Sequence, residues 1–326
     1  MQLALGMRNF ARLAAATRRA AFGALLLLFS SGTGPSYAQN PKPAANAPEG
    51  QNKEGFYPGW NLGVRFEGST DSAGSVYDLA TGVGYNLSHH FGVDFGVPYY
   101  FVGTPSSIKG KNPGAVSGNG IGDFGADLKW LFPGKTLNYA STVHLAAPTG
   151  DTKKGFSNGH ATWNWTNHIE HGWGMFTPFI DGGVGNTVAD TRYFKRPFMT
   201  FGYNAAFEAG TEADAGPISL STSAYDVAPW GNQTVYSRVF RCNSNAKCGA
   251  AGKTTDRKGY LSNSVTSGAA DLARDNGFNA SAEFKPVKTV DLEVDYSRSV
   301  PLQLNTFSFG ISLDLGAVLR RGSLTK

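Results

Sequence analysis

From Trp60 to Leu315 apolar and polar residues alternate with a period of two in one segment after another, and few architectures accept that pattern for so long. One segment shows it most clearly. Phe124, Ala126, Leu128, Trp130 and Phe132 fall on one face of an extended chain, and Asp123, Gly125, Asp127 and Lys129 fall on the other. The same division sets Phe91, Val93, Phe95, Val97, Tyr99 and Phe101 against Gly92, Asp94 and Gly96. It sets Val290, Leu292, Val294 and Tyr296 against Asp291, Glu293, Asp295 and Ser297. Each strand therefore has an apolar, aromatic face and a polar, charged one.

Strands are predicted near 60–67, 76–87, 91–103, 120–132, 138–148, 161–171, 175–187, 198–210, 217–229, 277–285, 289–298 and 305–315. A soluble sandwich would alternate in the same way. The connections separate the two cases. Those at 104–119, 149–160, 188–197 and 230–276 are long and polar. Those at 88–90, 133–137, 172–174, 211–216 and 286–288 are tight. Loops that alternate long and short are the topology of an outer-membrane barrel, whereas a sandwich has no reason to sort its loops by parity. The connection near Pro301 is a short exception. The expected fold is all-β, an antiparallel transmembrane β-barrel of about twelve strands over 57–316. Trp60, Tyr99, Tyr100, Trp130, Trp163, Trp165, Trp173 and Trp230 stand near strand ends, where interfacial girdles are expected.

The N-terminus suits that compartment. Arg8, Arg12, Arg18 and Arg19 precede the apolar run 20–29, and the small-x-small site Ser36-Tyr37-Ala38 follows. This is the pattern of a cleaved secretory signal over 1–38, and the run is too short to span a bilayer. Without those four arginines the formal charge of +5 falls to +1, which leaves no basis for nucleic-acid binding. Residues 39–56 read as a flexible periplasmic lead-in and 317–326 as a basic C-terminal tail. Cys242 and Cys248 share one polar stretch and would close a small disulfide loop in an oxidising compartment.

The polar faces supply the candidate lumen lining: Arg65, Asp94, Asp123, Asp127, Lys129, His144, His168, Glu170, Asp181, Glu208, Glu283, Asp291, Glu293 and Asp295. Glu67, Asp78, Lys285 and Asp314 share the same parity. Acids outnumber bases there; the first expectation is a solvated wall whose internal salt bridges hold the barrel's shape, and the alternative is a pathway that favours cations or polar solutes. No catalytic set, metal site or cofactor motif is expected. Ser157-Asn158-Gly159 resembles the nucleophile motif of the outer-membrane phospholipase A family, but Gly155 stands where that motif has its histidine. The histidines are scattered between turns and opposite strand faces rather than at ligand spacing.

Gly120-Ile121-Gly122-Asp123-Phe124-Gly125-Ala126-Asp127-Leu128-Lys129-Trp130 is followed by Ala147-Pro148-Thr149-Gly150-Asp151 and by Gly159-His160-Ala161-Thr162-Trp163. This stretch resembles the outer-membrane family named for the meta-pathway of phenol degradation, well over 118–187 and as strand pattern elsewhere. The resemblance implies an outer-membrane barrel associated with uptake of hydrophobic or aromatic compounds. Phe156, Tyr193, Phe194 and Tyr236 are then the expected recognition aromatics. The expected function is passive uptake of small molecules, with outer-membrane lipid and the assembly machinery as partners and the oligomeric state left open. An adhesion or structural barrel using 230–276 is the alternative, and a hydrolase comes third.

Overall fold

The computed structural model describes residue 56 and residues 58–71, 74–103, 118–134, 137–188, 198–237, 265–287 and 289–315. The expected signal, nearly all of the expected lead-in, the expected C-terminal tail, Cys242, Cys248, Tyr193 and Phe194 lie outside the described residues.

Twelve antiparallel staves form one sheet: β1 (Gly59–Asp71), β2 (Gly74–Asn86), β3 (Phe91–Gly103), β5 (Phe124–Phe132) prolonged by β4 (Gly118–Ile121), β6 (Leu137–Ala147), β7 (Thr162–His171), β8 (Phe176–Gly185), β10 (Asn204–Ala215), β11 (Ile218–Pro229), β14 (Asp275–Val287), β15 (Val290–Ser299) and β16 (Leu304–Asp314). β1 pairs with both β2 and β16, so the sheet closes on itself and no stave is left as an edge. A second, three-stranded sheet is made by β9 (Phe198–Phe201), β12 (Gln233–Ser237) and β13 (Val265–Gly268).

One rim carries only tight turns, after β2, β5, β6's partner β7, β10 and β14. The other carries the long connections, with 72–73 and 300–303 as short exceptions. We refer to these as the turn rim and the loop rim. The strand faces are inside out relative to a soluble protein. Val294, Phe307, Phe309, Phe207 and Ile180 are exposed on the outer wall, while Glu67, Asp78, Asp127, His168, Glu283 and Glu293 are buried on the inner one. An apolar outside around a polar inside, with every stave paired to its neighbours, is what a hydrocarbon solvent demands of a β-protein. Outer-face aromatic pairs mark both rims: Trp60–Tyr85 at 5.2 Å by the turns and Tyr203–Trp230 at 6.0 Å by the loops.

Three expectations are corrected. The segment 198–210 is not one strand. Gly202, at φ +150°, breaks it, and β9 leaves the barrel wall for the small sheet. The segment 211–216 is not a loop. Its acids occupy inner-face positions, so Glu212 continues β10, and the turn is Gly216-Pro217, with Gly216 at φ +69° as a two-residue hairpin requires. Tyr100 is not in a girdle but points inward, buried beside Val76 and Val102.

A β-bulge divides the stave formed by β4 and β5. Against β3, Tyr99 faces Ile121 but Gly96 faces Gly125, so one extra residue is inserted at Gly122-Asp123. Inner-face parity therefore changes across the bulge. Asp127 and Lys129 point inward in β5, whereas in β4 it is Gly118 and Gly120, opposite Val102 and Tyr100, that line the interior.

Candidate functional site

The inner wall holds a belt of charged and amide side chains that passes from stave to stave. On β1, Arg65 bridges its own-strand neighbour Glu67 and reaches Glu293 of β15 at 3.4 Å. Asp78 of β2 and Asp295 of β15 add to the negative field around that guanidinium. The reach from β1 to β15 passes over β16 at Gly310, which pairs with both Glu67 and Glu293 and has no side chain in the way.

The same device recurs at Gly84. Asn61 of β1 donates to Asp94 of β3 at 3.1 Å across β2, where Gly84 pairs with both residues and a Cβ would collide with both side chains. Asp94 also holds Lys129 of β5 in a salt bridge. Beside them Asp127 meets Nδ1 of His144 at 2.7 Å. Farther round, the His168 ring lies between Asp181 of β8 at 2.8 Å and Glu170 at 3.1 Å. Asn138 donates to Glu170 at 2.9 Å. Asn279 donates to Glu208 at 3.2 Å, Ser223 donates to it at 2.5 Å, and Ser297 closes the run by donating to Asn279 at 2.7 Å.

Of the lumen-lining residues expected from the sequence, twelve fall on this inner wall in the clusters just described or beside them. Glu283 sits opposite Glu293 and 3.5 Å from Lys285. Asp291 lies nearer the turn rim, opposite Ser312. Asp123 is placed differently. The bulge turns it out of the wall, and its carboxylate accepts the Gly150 N–H at 2.9 Å. The belt is tightly packed: Asp78 is 0 % exposed and Asp127 and His168 are each 2 % exposed. Charges this enclosed persist only when paired and hydrogen-bonded, as Asp127 is by His144 and His168 is by Asp181 and Glu170.

Sequence reasoning missed the change of character toward the loop rim, where the inner face turns apolar. Val76, Tyr100 and Val102 pack on Phe156. Phe198, Val235, Leu302 and Leu304 form a second cluster with Leu272 against it, and Val188, Tyr225, Val227 and Ala273 form a third. The first cluster brings in the 149–160 connection, and the second brings in the small sheet. Asn158 ties the two together by donating to the Thr200 carbonyl at 3.3 Å. The inner-face parity of Val76 and Val102 was legible, but the connection that covers them was not.

The Ser157 hydroxyl is buried and accepts the Gly159 N–H at 3.0 Å, while the His160 ring stacks on Phe201 at 4.4 Å. Of the expected recognition aromatics, Phe156 is buried and Tyr236 lies half-buried on β12.

A closed twelve-stranded antiparallel barrel with an apolar outside and a charged inside is the fold of outer-membrane β-barrels. One solved structure agrees in fold. An outer membrane channel from Pseudomonas putida F1 superposes with a TM-score of 0.51 at 12% identity, over 81% of this chain and 98% of that one. The NanC porin and the KdgM porin in complex with disordered oligogalacturonate give TM-scores of 0.43 and 0.42 at 7% and 8% identity, each over 77% of this chain and 98% of theirs. No protein-family model and no curated protein sequence matches the chain.

Proposed function

We propose that this chain is a passive channel or transporter for small solutes in the outer membrane of a Gram-negative-type bacterium, delivered there by its cleaved signal. The observation that carries the reading is the inner wall. A barrel that only displayed loops could fill its interior with apolar side chains at less cost than a belt of buried ions. Here carboxylates from most staves converge on Arg65, Lys129, His144 and His168. Such a wall concentrates cations and repels anions wherever water enters. Because the belt's side chains are enclosed, a solute that passes this way must displace or loosen some of them, so in this reading transport includes an opening step.

The resemblance over 118–187 to the family of the meta-pathway of phenol degradation favours hydrophobic or aromatic solutes. A disulfide between Cys242 and Cys248 fits an oxidising exterior. The deciding experiment is single-channel recording of the refolded barrel in planar bilayers, with reversal potentials in a salt gradient. Cation-selective openings are expected. A folded, heat-modifiable barrel that never conducts and moves no solute into liposomes would overturn the reading.

A further inference from the structure

At the loop rim the inner wall holds an aromatic ring in a slot of its own making. Phe156 is 1 % exposed, and its ring stacks on Tyr100 with centroids 5.6 Å apart and planes 18° from parallel. Val76 and Val102 close the sides. The floor is bare backbone: a Cβ at Gly120 would stand 2.9 Å from the ring, and one at Gly118 would stand 3.9 Å from it. Both glycines face inward only because of the bulge at Gly122-Asp123.

The ring is not part of the barrel ladder. It hangs on the 149–160 connection, and the bonds that tie that connection to the barrel include Gly150 N–H to Asp123, Phe124 N–H to Thr149 at 2.8 Å, and the Lys154 ammonium to the Asn119 carbonyl at 3.2 Å. Asn158 to Thr200 holds its far end. None of these bonds is a stave-to-stave hydrogen bond, so the connection can loosen without opening the barrel ladder.

We infer that this slot is a binding site for a flat apolar ring of benzyl size, and that Phe156 is its resident, displaceable occupant, so that the 149–160 connection is a latched lid. The inference rests on the transport reading and adds to it the place where a solute is received. A tethered ring competes at an effective concentration of order mM, so a solute ring must outcompete it or bind after it has swung away.

The test is a fluorine NMR titration with 4-fluorobenzyl alcohol on the full refolded barrel in lipid nanodiscs, comparing wild type, Phe156→Ala and Phe156→Ala/Gly120→Val. Phe156→Ala should bind saturably and at least about tenfold more tightly than wild type, because the tethered competitor is gone. Refilling the floor in the double variant should return binding to the wild-type level. A folded Phe156→Ala barrel that binds no better than wild type, or no better than the double variant, overturns the inference. If Phe156→Ala does not fold, Asp123→Asn/Thr149→Val loosens the latch with the slot intact; it must show a gain over wild type, and its failure to do so is equally decisive. Liposome swelling on the same preparations separates the two claims. Slot binding without any swelling would leave the site standing and remove the channel, whereas swelling without slot binding would remove the site alone.

Discussion

The Asp123 carboxylate accepts the Gly150 N–H at 2.9 Å, and this bond joins two stretches that lie far apart in the sequence. Thr149 reinforces it, its hydroxyl oxygen accepting the Phe124 N–H and its hydrogen pointing to the Gly122 carbonyl at 3.4 Å. The strand containing Gly122-Asp123 and the loop containing Thr149-Gly150 are therefore one device, a bulge and the clamp that seats on it. A hydrogen bond to a charged acceptor is worth about 1.5–3 kcal/mol. Asp123→Ala should accordingly raise the rate of tryptic cleavage at Lys153 and Lys154 by about tenfold or more in the native refolded barrel. Global unfolding in urea should shift much less. Equal cleavage rates in the two proteins would mean that the clamp does not hold the loop.

This bond also marks the limit of what the sequence discloses. Period-two alternation identified the staves and the inner-wall residues, because a closed barrel forces each stave to obey one parity. It placed Asp123 on the same wall as Asp127, because an unbroken strand would put it there; the bulge is an insertion that alternation alone does not reveal. Glu212 and Asp214 suggest a polar turn for a related reason: acids that mark loops in soluble proteins are ordinary inner-wall residues here. The bridges over Gly84 and Gly310 depend on register between nonadjacent staves, which no single segment encodes.

Gly84 gives the second prediction. Its bare backbone lets Asn61 meet Asp94 across β2, so Gly84→Val should sever that contact and crowd Lys129 away from Asp94. A loss of about 3 kcal/mol is expected from the broken charged hydrogen bonds and the clash. Gly172→Ala is the control, since nothing lies within 4 Å of a Cβ there, and it should change stability by less than about 0.5 kcal/mol. Urea titrations followed by tryptophan fluorescence in detergent would measure both.

Arg65 gives the third. Arg65→Met leaves Glu67 and Glu293 buried and facing one another without their cation, and removing one member of a buried ionic cluster costs about 3–5 kcal/mol. Arg65→Met/Glu67→Gln/Glu293→Gln removes the charges as well and should regain most of that loss. If the triple variant proved no more stable than the single one, the guanidinium would owe its place to packing rather than to charge.

Charge selectivity tests the belt as a pathway. Asp181 and Glu208 pair across β8 and β10, and both face the interior beside His168. Asp181→Asn/Glu208→Gln keeps their shapes and removes both negative charges. The cation-to-anion permeability ratio should fall toward unity, with the folded barrel otherwise preserved. A ratio unchanged from wild type would place the ion path elsewhere.

The last prediction concerns the solvent outside the barrel. Val294 lies near the middle of β15 with its side chain 63% exposed, and its register partners are Phe309 and Ala282. If water surrounded this face, Val294→Arg would be nearly neutral, since an exposed surface change away from special features costs less than about 0.5 kcal/mol. In hydrocarbon the guanidinium must be desolvated or must drag headgroups and water inward. At the midplane of a barrel that costs about 2–4 kcal/mol. Val294→Arg should therefore lower the folding free energy into liposomes by that amount, read from urea-dependent insertion. Arg298, four residues on and hydrogen-bonded to Asn305 at 2.8 Å close to the loop rim, shows where the same side chain is tolerated on this face. The position dependence follows because the bilayer's polarity rises within a turn or two of strand toward its surface. A neutral Val294→Arg would place the outer face in water and turn the barrel reading against itself.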